Sequence, residues 1–215
     1  GPILNELRLR RSPSELARHL RACEISRDAH IEAMRYARPG LYEYQVQAAL
    51  EFVFRVNGSP RNGYPSIVAS GANACILHYN ENTRCMEDGD LLLIDAGCEW
   101  GYHSADITRT FPGNGRVTAP QRAVYEIVLR AQLAGIAAAR PGNRYEAVHE
   151  AARRVLTEGL VALGALPRGV DESLAMHHYR EFYMHGTGHW LGMDVHDVGD
   201  YRIDRKSRIL EPGMV

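Results

Sequence analysis

Asp95 and Asp106 lie in LLLIDAGCEWGYHSADITRTF, residues 91–111, on two segments that flank Trp100-Gly101. With Trp100-Gly101 as a two-residue hairpin loop, Glu99 pairs with Tyr102, Gly97 with Ser104 and Asp95 with Asp106. Side chains opposite one another on an antiparallel pair stand roughly 4.5–5.5 Å apart at Cβ, and like charges there are destabilising. A shared proton or a neighbouring Arg would relieve the repulsion. A divalent cation between two hard oxygen donors relieves it most strongly, so the hairpin points to cation binding.

A second group of polar residues follows in MHGTGHWLGMDVHDVG, which carries His185, His189 and His196. Two histidines four residues apart suggest a helical zinc protease, but the general-base Glu of that motif is missing and Gly186 and Gly188 intervene. The segment therefore reads as strand and loop, with glycines that let backbone approach a ligand. Together with His78 and the two aspartates, these histidines form an oxygen and nitrogen donor set suited to Mn, Co, Zn or Fe. Trp190 reads as core packing. Cys23, Cys75, Cys85 and Cys98 show no paired spacing, so they are expected as free thiols without a role. No G-x-S-x-G elbow or evident Cys-His pair is present, which disfavours covalent catalysis.

The elements that must position these residues are marked by their ends. Ser12-Pro13-Ser14-Glu15 is a capping box, and the helix it opens runs to Ala37, where Arg38-Pro39-Gly40 stops it. A second helix follows near Tyr42 to Val56, with Val46, Ala49, Leu50 and Val53 at helical spacing. The arrangement returns: Thr118-Ala119-Pro120-Gln121 opens a helix to Ala139, Arg140-Pro141-Gly142 breaks it, and another helix follows. Glu24, Ile25, Ala29, Val46, Ala49 and Val53 meet Glu126, Ile127, Ala131, Val148, Ala151 and Val155 without a gap, so the unit is duplicated.

Matching Glu87-Asp88-Gly89-Asp90-Leu91 to Glu211-Pro212-Gly213-Met214-Val215 puts the counterpart of Asp95 past Val215. The chain is therefore expected to be a fragment, cleavage product or part of a split protein, with a sheet edge left unpaired. The expected organisation is a linker or junction at 1–11 and one domain at 12–215, in halves of about 12–115 and 116–215, the second truncated. A length of 215 residues with 45% hydrophobic content suffices for a substantial core, and a net charge of -1 argues against a nucleic-acid partner. Arg8, Arg10 and Arg11 read as a solvated edge. No apolar run approaches the ~20 residues of a membrane span and no leader precedes the first helix, so no membrane association and a cytoplasmic location are expected.

The aspartate segment IDAGCEWGYHSADITRTF, His78 in CILHYNEN, and HGTGHWLGMDVHDVG leading to RILEPGMV resemble the Xaa-Pro aminopeptidases (aminopeptidase P), from about Arg8 to Val215. That resemblance implies the α+β pita-bread fold: two pseudo-symmetric helix-helix-strand halves around a curved antiparallel sheet, here incomplete at the C-terminus. It implies a dinuclear site usually credited to manganese, in which Asp95 binds one ion, Asp106 bridges both and His189 binds the other. Two further glutamate ligands come from the last strands of the family, past the EPGMV with which this chain ends. By the same resemblance His185 and His196 flank the metals, contacting substrate or the developing tetrahedral charge, and His78 shapes the pocket and assists proton transfer. The implied reaction is metal-dependent hydrolysis of the bond between an N-terminal residue and proline, in peptides with proline second. An Xaa-Pro dipeptidase shares the motifs, and a binding module without peptidase activity shares the fold. The resemblance further implies a separate N-terminal domain in complete members, expected to be missing from these 215 residues. With two ligands missing, weak metal binding and little turnover are expected of the chain alone, unless a companion C-terminal fragment restores the hairpin; a homo-oligomer is left open.

Overall fold

A computed structural model describes residues 1–167 and 169–215. By compactness the chain divides into two units, neither contiguous. A sheet unit comprises 11–117, 190–198 and Val215, and a helical unit comprises 1–10, 118–189 and 199–214.

In the sheet unit, helix α2 (Pro13–Tyr36) starts at the expected box: the Ser12 N–H donates to Glu15 Oε2 at 2.8 Å and Glu15 N–H to Ser12 Oγ at 3.4 Å. Its inward stripe is narrow-bodied, with Ala22, Ser26, Ala29 and Ala33 buried beside Ile25. Small residues on that stripe let backbone come close, and Cys98 N–H donates to Ser26 Oγ at 3.0 Å. Helix α3 (Glu43–Val56) adds Val46, Leu50 and Phe54, all fully buried. Each large apolar side chain so enclosed contributes roughly 1.5–3 kcal/mol.

Six strands, all antiparallel, form two sheets against these helices. The first joins β1 (Arg61–Asn62), β4 (Cys98–Trp100) and β5 (His103–Ser104); the second joins β2 (Ile67–Ser70), β3 (Leu91–Ala96) and β6 (Ile107–Pro112), with β3 central. Strand β3 alternates strictly. Leu92, Ile94 and Ala96 enter the helix-facing core, while Leu93 packs with Ile67, Ala69 and Tyr79 on the other face, the face that Asp95 shares.

The hairpin register departs from the expected one. Its loop is Gly101-Tyr102, not Trp100-Gly101, and both loop residues have positive φ, 58° and 65°, as a type I′ turn requires. Glu99 consequently pairs with Ser104 and Asp95 with Thr108, so the two aspartates are not directly opposite. A two-residue displacement leaves every side chain on its own face, and Asp106 becomes the diagonal neighbour of Asp95. A Tyr at positive φ hides the turn type from a reading that expects Gly or Asn there.

The helical unit repeats the arrangement. Helix α4 (Ala119–Ala138) begins at a Thr118/Gln121 box, and α5 (Tyr145–Ala162) packs on it. A Cβ on Gly159 would come within 2.4 Å of Ile127, so α5 uses a glycine to approach α4 closely. The duplication extends to backbone hydrogen bonds: Gly40 N–H donates to Met86 O and Gly142 N–H to Leu210 O, each at 2.9 Å. Bridges Tyr42 with Cys85 and Arg144 with Ile209 match likewise. Completing this unit are α1 (Pro2–Leu9), α6 (Val170–Ala175) and the hairpin of β7 (Arg202–Ile203) and β8 (Lys206–Ser207).

Two further readings need correction. Residues 182–199 contain no strand, although MHGTGHWLGMDVHDVG reads as strand and loop; its backbone groups bond locally or to single positions, such as Asp197 N–H to Trp190 O at 2.9 Å. Nor does Arg11 belong to a solvated edge: it is buried against Asp197, whereas Arg10 stays exposed in a pair with Glu211 at 2.6 Å and Arg8 is half-buried. The first eleven residues, expected as linker or junction, include α1, whose Glu6 takes two hydrogen bonds from Arg208, at 2.7 and 2.5 Å. All four cysteines are free, and among the described residues no helix is long and apolar enough to cross a membrane.

Candidate metal centre

Asp95 reaches its place because β3 alternates, and Asp106 because the ladder breaks between β5 and β6. Gly97 causes the break: a Cβ there would lie 1.7 Å from Ala105 O, so only glycine lets the two backbones cross so closely. Its carbonyl accepts from Gly63 N–H at 2.8 Å, which fixes the start of the loop that carries Tyr64.

Tyr64 joins the two aspartates. Its hydroxyl lies 2.5 Å from Asp95 Oδ1 and 2.8 Å from Asp106 Oδ1. A phenol has one proton and donates to one carboxylate at a time. Burial, then the charges of Asp95 and Asp106, push the Tyr64 hydroxyl far up, so it remains a phenol. Burial is also the largest influence on Asp95 and raises its carboxyl; Tyr64 and Thr108 hydrogen bonds oppose this and the Asp106 charge reinforces it. Two half-buried carboxylates thus converge on a single hydroxyl, at a cost in the ionised state. Hard oxygens held together against their repulsion fit a divalent cation.

The histidines are distributed between the units. His78 and His196 belong to the sheet unit and are exposed, His78 at φ 56° beyond the 3-10 turn Gly71–Cys75. His185 and the half-buried His189 belong to the helical unit. The Nδ1 of His185 lies 2.8 Å from Gly186 O, so it carries the proton in that bond and leaves Nε2 as the basic nitrogen. Among the described residues no three His, Cys, Asp or Glu side chains form one metal-sized group. The aspartates are brought together as a pair. Trp190 is buried, 3% exposed, in keeping with core packing.

Several polar residues were invisible to motif reading. Tyr64, in a short loop between Gly63 and Pro65, has no spacing relation to either aspartate. Glu43 is fully buried and accepts from Ser70 N–H at 2.6 Å, Tyr79 hydroxyl at 2.7 Å and Arg84 N–H at 2.9 Å. Those bonds outweigh burial and hold its carboxyl below the usual range. In the helical unit, His149 Nδ1 lies 2.8 Å from Thr187 Oγ1, which lies 2.6 Å from the Tyr183 hydroxyl. His149 and Thr187 border a cavity of about 230 Å³ whose lining also includes Tyr145 and Tyr201.

Residues 17–215 match metallopeptidase family M24. The chain is 50% identical over 214 residues to the Xaa-Pro aminopeptidases of Haemophilus influenzae and Escherichia coli, covering all of this chain and 50% and 48% of those proteins. The human Xaa-Pro dipeptidase is 38% identical over 231 residues, with 47% of it covered. Among solved structures, Pseudomonas aeruginosa aminopeptidase PepP superposes with a TM-score of 0.98 at 53% identity, covering 99% of this chain and 48% of that one. Zn-substituted E. coli aminopeptidase P in complex with product gives 0.95 at 50% identity, covering 99% of this chain and 48% of that one. The fold is thus the pita-bread fold of that enzyme. The chain spans about half the length of the curated relatives it matches.

Proposed function

The chain belongs to metallopeptidase family M24, and from that premise we propose that it carries part of the catalytic apparatus of an Xaa-Pro aminopeptidase, with Asp95, Asp106 and His189 as metal ligands. The observation that carries the reading is the convergence of two carboxylates on the Tyr64 hydroxyl. A divalent ion there, manganese or another with the same preference for oxygen and nitrogen, would polarise the scissile carbonyl and lower the pKa of its water.

The chain's own residues have distinct tasks. Tyr64 keeps its proton and aims one oxygen of each aspartate, and Thr108 steadies Asp95. His185, with Nδ1 committed to Gly186 O, offers Nε2 to a peptide or to a proton in transit. His196 would contact the peptide or stabilise the negative charge that develops on the carbonyl oxygen, and His78, on the exposed turn, would shape the pocket and assist proton transfer. A proline in second position makes the scissile bond a tertiary amide with a constrained preceding residue, which a shaped pocket can select. Free thiols suit a reducing, cytoplasmic setting.

Calorimetric titration of the chelator-treated chain with Mn²⁺ and Zn²⁺, alongside hydrolysis of X-Pro peptides, tests this. Saturable binding that disappears in Asp95→Asn and Asp106→Asn supports it, and binding unchanged in both variants overturns it. Greater turnover of tripeptides than of X-Pro dipeptides separates the aminopeptidase from the dipeptidase reading.

A further inference from the structure

Arg11 precedes the cap of α2 and is enclosed together with Asp197, their side chains 1% and 0% exposed. Its Nη2 donates to the Asp197 carboxylate and also to the Leu191 carbonyl at 2.9 Å. The backbone between these partners is held as well: Asp197 N–H donates to Trp190 O and Ser104 N–H to Gly192 O, both at 2.9 Å. One guanidinium therefore fastens two ends of the loop 190–198, while Ser104, on β5, ties Gly192 near its start to the aspartate hairpin. Gly192 completes the fit, because a Cβ there would stand 1.8 Å from Asp197 Oδ2 and 2.1 Å from Arg11 Nη2. His19 and His103 lie beside this pair, their rings edge to face with centroids 4.6 Å apart.

A buried ion pair is a poor way to gain stability, since the cost of desolvating both charges offsets most of their attraction. What it does supply is a defined position. The loop it holds carries His196 next to Asp197, and the strand it is tied to leads directly into Asp106. We infer that Arg11 is a positioning residue that, through Asp197 and Leu191, fixes the His196 loop to β5, the strand that leads into Asp106. The inference rests on the reading of His196 as a peptide-binding group, but the fastening itself can be tested without turnover.

The test is amide hydrogen exchange on the 215-residue chain, in Arg11→Met, Arg11→Lys and Arg11→Met/Asp197→Leu. Removing one partner leaves a buried charge and can unfold the chain; replacing both with apolar groups of similar size is often neutral or stabilising. In the folded double variant the amides of Ser104 and Asp197 should exchange at least tenfold faster, with Leu93 and Ile94 in β3 unchanged and the melting temperature near the parent's. Arg11→Lys, which keeps the charge, should recover part of that protection. Equal protection of Ser104 and Asp197 in parent and double variant overturns the inference, and so does an equal loss of protection in β3, which would mark the pair as a global stabiliser. Loss of metal binding in Asp95→Asn bears on the peptidase reading alone, so the two fail separately.

Discussion

At Asp95 the demands of chemistry and of stability oppose each other. Its folded carboxyl is raised above the ordinary value of 3.8, so the folded state holds its proton where the unfolded state has released it. Stability from this group is complete below its unfolded pKa and is lost as pH rises through the folded one. Metal-free Asp95→Asn should therefore melt above the parent at neutral pH and level with it at the acid end, where the parent carboxyl is protonated in both states, while losing any metal-induced rise. Scanning calorimetry with chelator and then with Mn²⁺ reads both; a variant less stable than the parent at pH 7 would sink the argument. Tyr64→Phe works in the opposite direction. It removes the hydroxyl from two facing carboxylates and should cost about 1–3 kcal/mol, measured by urea unfolding. In the Asp95→Asn background the cost should shrink, because an amide can donate to Asp106 where the phenol did.

Elements were legible wherever their determinants are local. Ser12 with Glu15, and Thr118 with Gln121, announce helix starts three residues at a time, and both boxes form. The aspartate hairpin shows where local information ends. Its alternation put Asp95 and Asp106 on one face correctly, yet the loop was placed one residue early because Tyr102 adopts a φ of 65° that few side chains accept. Contacts across long separations left no trace: Tyr64 meets Asp95 across 31 residues and Arg11 meets Asp197 across 186. Gly97 bears the greatest load among the elements. Because the atom it would displace is the Ala105 backbone carbonyl, no side-chain rotation relieves the clash. Gly97→Ala should cost more than about 3 kcal/mol, comparable to the larger core substitutions, and should separate β3–β4 from β5–β6. Collapse of the hairpin cross-peaks in an amide NMR spectrum is the expected sign, and a spectrum like the parent's would refute it.

For the molecule as a whole, the response to acid follows from which histidines are enclosed. Of the 10 histidines in the chain, His19, His30 and His103 are buried, and His19 carries a large shift. Burial, then the neighbouring His103 and Arg11, lower its pKa from 6.5 to about 4, against smaller opposing contributions from the Ser104 backbone and Asp197. On that side Glu15 lies 3.9 Å from His103 Nε2. The unfolded chain binds the proton first, so stability is full above 6.5 and falls as pH drops toward 4, by roughly 3 kcal/mol for a shift of that size. His30, lowered chiefly by burial, adds to the same slope. Glu43, held below 4.5 by its hydrogen bonds, contributes only to the loss below that value, and Asp95 has the opposite sign. The chelated chain should accordingly lose stability between pH 6.5 and 4, before carboxylate protonation dominates. His19→Leu should flatten that limb while leaving the limb below pH 4.5 in place. Urea midpoints measured at half-unit steps from pH 7.5 to 4 distinguish the outcomes: an unchanged slope in His19→Leu would place the acid sensitivity elsewhere in the fold.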